Sequence, residues 1–240
     1  MSSIGENLEL FADWYLRFNG YFTVNNFLVH APEDPVRIYR DSVGAHTEAD
    51  LIGVALPYSD ELAFPKAPEL SLPEGWTDVL ILEAKSGIGK DSTKPNKIWR
   101  QAPKDPQRQI EAVAYMIRFV GFHRPEQAKE IATTLAQNYR YEDAERRCVY
   151  RYAMLCSHVA RTYLDHGVLH IPIDAAIEFV VHQRGQSWLN AHRTATRSSH
   201  DKWPPLINGA LERANQGDLA AAKQYLRDQI TQPPADTGNG

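Results

Sequence analysis

Between residues 4 and 18, Leu8, Phe11, Ala12, Tyr15 and Phe18 recur at helical spacing, and Asn19-Gly20 supplies a stop. A first helix is therefore predicted over 4–18. From Tyr21 to His30 the chain is rich in aromatic and branched residues, which predicts a strand. Ala49 to Leu56 is nearly continuous in apolar residues and predicts a second one. A connection carrying Pro57, Pro65, Pro68 and Pro73 runs on to Gly75. Asp78 to Lys85, DVLILEAK, is the clearest strand in the chain. Its unbroken run Val79 to Leu82 predicts burial on both faces, as in the centre of a sheet. Asp105-Pro106 then reads as an N-cap with proline at the first helical position, and Ile110, Val113, Ala114 and Ile117 form that helix's apolar stripe.

Further along, the pattern predicts a helix over about 126–137 and a long strand over about 146–157. Val168 to Ile173 is a short strand, after which Asp174 caps a helix reaching about His182. Helices near 203–215 and 218–230 follow, and the tail 233–240 is predicted to be disordered. The order is α-β-β-β-α and then mixed elements, with no repeat and no linker. One domain over 1–232 is expected.

Composition narrows this picture modestly. With 43% hydrophobic and 23% charged residues the chain can build an ordinary globular core. No stretch approaches the roughly 18 apolar residues of a membrane span. The start, MSSIGENLEL, lacks a basic region followed by an apolar run, so a cytoplasmic protein is expected. Cys148 and Cys156 fall eight apart on one predicted strand. About 26 Å would separate them, too far for a disulfide or a shared zinc. The net charge of −4 gives no global sign of a polyanion partner. Locally the sign reverses. Seven basic residues (Lys85, Lys90, Lys94, Lys97, Arg100, Lys104, Arg108) against Asp91 and Asp105 make +5 between 85 and 108.

That run adjoins the residues that carry the chemistry. Glu83 and Lys85 are two apart on one strand, so their side chains share a face about 6.6 Å apart. Charges at the end of so apolar a strand are costly unless paired or bound to metal. Asp50 precedes the apolar run LIGVAL. If the two strands are neighbours, Asp50 and Glu83 can converge on one Mg²⁺ or Mn²⁺. Magnesium prefers oxygen ligands and commonly takes one or two carboxylates. Lys85 would then face the reacting phosphate.

Glu48-Ala49-Asp50-Leu51-Ile52 followed by Leu82-Glu83-Ala84-Lys85 resembles the D…(D/E)-X-K signature of PD-(D/E)XK, or restriction-endonuclease-like, nucleases. The resemblance covers about residues 5–120, with an α/β and helical extension over about 121–232. It implies an α/β fold: a restriction-endonuclease-like αβββαβ core, a mixed central sheet flanked by helices, and C-terminal helices. It assigns Asp50 and Glu83 as metal ligands and Lys85 as the motif lysine. Glu9 lies eleven residues before Gly20-Tyr21. This spacing resembles that of the metal-associated glutamate of Holliday-junction resolvases in the same superfamily, so Glu9 is a third expected ligand. On a helical wheel Glu9 borders the apolar stripe, while Glu6, Asp13 and Arg17 lie further toward solvent. Many members carry Gln or Arg on the following helix facing the site, which points to Arg108 and Gln109. Some exonuclease-like members have Gln-x-x-x-Tyr, which is absent here because Gln109 and Tyr115 are six apart.

Other signals fall away. AKSGIGKD over 84–91 has Ala84 and Asp91 where a phosphate-binding P-loop needs Gly and Ser or Thr. The nine histidines form no metal-ligand spacing, and no nucleophile elbow occurs. Arg184, His192, Arg193, Arg197, His200 and Lys202 cluster near Trp188 and Trp203, which reads either as nucleic-acid contact or as solvated helices with buried tryptophans. The expected function is a metal-dependent DNA endonuclease of defence or repair, bound through Lys90, Lys94, Lys97, Arg100, Lys104 and Arg108. RNA is not separated from DNA by these residues; a partner subunit is expected to supply specificity, and a homodimer is a further expected partner state. The alternative is a catalytically inactive nuclease-like protein for nucleic-acid binding or assembly.

Overall fold

The computed structural model describes residues 3–29, 47–57, 66–86, 93–100, 105–185 and 203–231. The sites expected at Lys90 and Lys104, most of the basic-aromatic cluster over 184–202, and the tail 233–240 lie outside them. Helix α1 spans Ile4–Phe18, and its start is closed by a reciprocal cap: the Glu6 amide donates to Ser3 Oγ and the Ser3 amide to Glu6. Strands β1 (Phe22–Val29), β2 (Thr47–Ala55) and β3 (Thr77–Lys85) follow. Helices α2 (Pro106–Val120) and α3 (Pro125–Asn138) come next. Then come β4 (Arg140–Asp143), β5 (Cys148–Cys156), α4 (Arg161–Asp165), β6 (Leu169–Pro172) and α5 (Ile173–Glu178). A π-helical stretch, Phe179–Gly185, continues α5, and α6 (Pro205–Asn215) and α7 (Leu219–Ile230) complete the described chain.

Among the described residues the strands form one mixed six-stranded sheet in the order β1-β2-β3-β5-β4, with β6 also on β5. β1, β2 and β3 are an antiparallel meander; β3–β5 and β5–β6 are parallel. One face carries Leu51, Leu80, Leu82, Ala153 and Leu155 and packs against α1 and the C-terminal helices. Gly53 lets α1 come close, since a Cβ there would sit 3.0 Å from both Leu16 and Tyr21. The opposite face carries Val79, Ile81, Tyr150, Tyr152 and Met154 beneath α2 and α3. Helices on both faces of a sheet with a parallel centre make this an α/β protein. β3 is buried along Thr77–Glu83, as its apolar run predicts.

Several elements differ from expectation. The strand expected over 146–157 is preceded by β4, which pairs with β5 through a turn in which Arg147 takes φ 49°. No glycine advertises that turn. Asp174 does not cap its helix: β6 runs straight into α5 through Pro172, and Asp174 in the first turn pairs with Arg227 at 2.8 Å. Asp13, expected toward solvent, is buried, because β1 folds back beside α1. Its carboxylate accepts Arg17 Nε at 2.9 Å and the Thr23 hydroxyl. Trp203 is buried against Trp14 and Phe18, which is the core reading of that tryptophan. Cys148 and Cys156 are free, buried and at opposite ends of β5, as their spacing predicts. Burial pushes their thiols up to about 12 and about 11, so both stay protonated near neutrality.

Two buried charges mark the α1 face. Asp78 on β3 and Arg151 on β5 form an ion pair with side chains 1% and 5% exposed. The guanidinium also donates to the Glu69 carbonyl at 3.2 Å, and the Tyr21 hydroxyl donates to Asp78. Burial foremost, with the Asp78 charge beside it, holds the Tyr21 phenol protonated. The charges are fully partnered, the condition on which such burial is tolerable.

Candidate functional site

The β2–β3 ladder runs from Ala55↔Asp78 to Leu51↔Leu82. One step further would set Asp50 against Glu83, but there the strands part company. β2 stays with β1 while β3 stays with β5, whose pairing reaches Lys85↔Cys156. The Asp50 carboxylate fills the gap, accepting the Ala84 amide at 2.7 Å. The neighbouring ladder is also interrupted here. β1 and β2 pair up to Asn25↔Leu51 and resume at Phe27↔Ala49, skipping Asn26 and Asp50. Asn26 takes φ 52°, in the left-handed region that asparagine tolerates better than most residues. Ala49 packs in the same layer as Ile52, three positions on, so the strict alternation of β2 slips around Asp50. Such irregularities re-aim side chains and recur near functional sites.

Glu83 and Lys85 project toward the α2–α3 side, at the C-terminal end of β3 beside a parallel neighbour. Crevices at the carboxyl ends of parallel strands are the common ligand position in α/β sheets. Lys85 Nζ lies 2.8 Å from Glu83 Oε1, and both groups keep a small part of their surface accessible (19% and 12%). Glu83 Oε2 accepts the Asn96 amide at 2.8 Å and the Tyr152 hydroxyl. Burial, reinforced by the Glu83 charge, pushes the Tyr152 phenol well above its ordinary range, so it remains a donor. Segment 93–100 is fastened over this corner. The Ala160 amide donates to the Thr93 carbonyl at 2.9 Å, and the Trp99 ring stacks on Tyr152 with centroids 4.4 Å apart. The Tyr139 hydroxyl donates to the Trp99 carbonyl at 2.7 Å.

The structure thus brings Asp50, Glu83 and Lys85 together. Glu9 sits half-buried on α1, the helix that covers the opposite face. Among the described residues no three His, Cys, Asp or Glu side chains gather closely enough to hold a metal ion. Glu9 therefore does not complete a three-ligand group with Asp50 and Glu83 in this structure. Two oxygen donors on diverging strands still suit a hard cation that keeps several waters.

Gln109 is buried on α2, and its Nε2 reaches no hydrogen-bond partner among the described residues. His123 Nε2 shares that state near the opposite end of the sheet. An unused buried donor is the position a water or substrate oxygen would complete. In the basic run, Lys94 and Arg100 are half-buried, Arg100 Nε donating to the Pro95 carbonyl at 3.1 Å, and Arg108 is exposed at the start of α2. The Lys97 backbone belongs to a short 3-10 turn, Lys97–Trp99.

Sequence reasoning missed Tyr152, Trp99, Tyr139 and the Asn96 amide. Alternation along CVYRYAMLC marks Tyr150 and Tyr152 as same-face residues with polar tips, but it does not reveal which strand lies alongside. Comparison with protein-family models, with curated proteins and with solved structures returns no match for this chain.

Proposed function

We propose that the protein is a metal-dependent nuclease with a restriction-endonuclease-like core, hydrolysing phosphodiester bonds in DNA through Asp50, Glu83 and Lys85. The observation that carries this reading is their convergence where β2 leaves β3: Asp50 on the Ala84 amide, Glu83 on Lys85. Mg²⁺ or Mn²⁺ held by the two carboxylates would activate water and neutralise charge on the phosphate. Lys85 places a fixed positive charge where phosphate charge develops in the transition state. The unused amide of Gln109 supplies a donor on the same side of the sheet. Supplying wild-type protein with single-stranded, double-stranded and branched DNA and with RNA, in Mg²⁺ or Mn²⁺, tests the reading. Metal-dependent cleavage of DNA supports it, and inert substrates in both metals refute it.

A second reading, a nuclease-like fold serving only in binding or assembly, draws on one observation. Glu83 accepts from three protein donors, Lys85, the Asn96 amide and the Tyr152 hydroxyl. It predicts nucleic-acid affinity without cleavage.

Binding itself is expected to run along the basic segment. Replacing Lys94, Lys97 and Arg100 with alanine should weaken affinity for unrelated DNA sequences about equally. It should also flatten the log–log salt dependence by up to about 2.7, the value for three phosphate contacts. Titrations at several salt concentrations check this. An unchanged slope would make the segment a solvated surface.

A further inference from the structure

We infer that Tyr152 is a positioning residue of this site, one that decides which oxygen of Glu83 is offered to a divalent cation. The inference rests on the nuclease reading. A carboxylate oxygen has two lone pairs in its plane. Both acceptor positions of Glu83 Oε2 are taken, one by the Asn96 amide at 2.8 Å and one by the Tyr152 hydroxyl. Each donor is fixed by its surroundings. Asn96 is followed by a turn in which the Trp99 amide donates to the Asn96 carbonyl at 2.8 Å. Tyr152 is fully buried on β5, its ring pinned by Trp99, whose carbonyl is held by Tyr139. Oε1 is different. It faces Lys85 at 2.8 Å, an ammonium on a flexible stem with a fifth of its side chain accessible. One oxygen is locked by rigid neutral donors, and the other is covered by a movable cation. Oε1 is therefore the oxygen that a metal ion can claim, and Tyr152 holds the carboxylate plane that presents it.

The position matters because Tyr152 acts through Glu83 and touches no substrate. Partners that orient a metal-ligating group typically change metal affinity or activity about 10–100-fold when removed. Tyr152→Phe deletes the hydroxyl and keeps the ring against Trp99. In the full chain it is expected to bind Mn²⁺ about 10–100-fold more weakly by calorimetry. Turnover should fall by a similar factor, KM for DNA should hold, and excess Mn²⁺ should recover part of the loss. Mn²⁺ affinity and turnover equal to wild type overturn the inference. If Tyr152→Phe does not fold, Tyr139→Phe carries the same test. It releases the Trp99 carbonyl without touching Glu83, so weaker Mn²⁺ binding at unchanged DNA affinity supports the inference, and wild-type binding overturns it. Wild type and Glu83→Ala are measured alongside. A wild type that binds no Mn²⁺ and cuts nothing removes the nuclease reading and this inference together. Wild-type behaviour of Tyr152→Phe beside an inert Glu83→Ala removes only the role of Tyr152.

Discussion

Alanine at Asp50, at Glu83 or at Lys85 is expected to abolish metal-dependent cleavage, each loss reaching at least about 10²–10³ in rate, the usual worth of one preorganised charge contact. Binding should separate the three. Removing either carboxylate relieves repulsion with the phosphate, so metal-free DNA affinity holds or rises, whereas Lys85→Ala weakens it modestly. Glu83→Ala has a second consequence, because it strands the buried Tyr152 hydroxyl and the Asn96 amide that Glu83 now satisfies. An unsatisfied buried donor costs about 1–3 kcal/mol. Glu83→Gln keeps an acceptor there and isolates the lost charge from the lost fold. Rates on a labelled duplex, with affinities from gel shift in EDTA, check the set. Cleavage that survives Asp50→Ala and Glu83→Ala unchanged would assign the chemistry elsewhere.

The largest effect on stability is expected far from that site. Asp78→Ala leaves the Arg151 guanidinium, 5% exposed, without its counter-charge. Breaking one half of a buried pair typically costs about 3–5 kcal/mol, whereas exchanging both halves for apolar residues of similar volume is often neutral or stabilising. Asp78→Ala should therefore unfold in much less urea than wild type, and the double variant Asp78→Leu with Arg151→Met should recover most of the loss. A single-variant loss below about 1 kcal/mol would mean that water reaches the pair. Because Asp78 projects to the α1 face and Glu83 to the other, folded protein of the double variant should keep whatever metal dependence the wild type has.

Legibility in the sequence followed how local the determining contacts are. Helix α1 was readable to the residue, since its stripe lies within the segment and its Asn19-Gly20 stop directly after it. Glu83 and Lys85 were readable as a pair because two residues along a strand return to the same face. β4 was not, being four residues long and entered through Arg147 at positive φ. Asp13 misled because its partner, Thr23, lies on the next element. Asp78 and Arg151 could have been paired in advance: Arg151 is the lone charge of its apolar strand, Asp78 opens the apolar run of another, and opposite signs buried in one sheet seek each other. Tyr152 could not, because its hydroxyl meets a carboxylate 69 positions earlier in the chain, across a parallel pairing that no local spacing encodes.

The contact between α1 and α7, where Asn7 Nδ2 donates to the Gln229 carbonyl across 222 positions, has a consequence for biosynthesis. The apolar stripe of α1 leaves the ribosome well before α7, which forms part of its cover. At about 5–20 residues per second, that stripe waits at least some ten seconds before α7 is made. During the wait it is a sticky surface on a nascent chain, and contacts so distant in sequence form slowly even after release. Messages truncated before residue 219 should therefore yield aggregating products, while messages that also encode α7 yield soluble protein. A frameshift series read by sedimentation of the translation products would reveal that threshold.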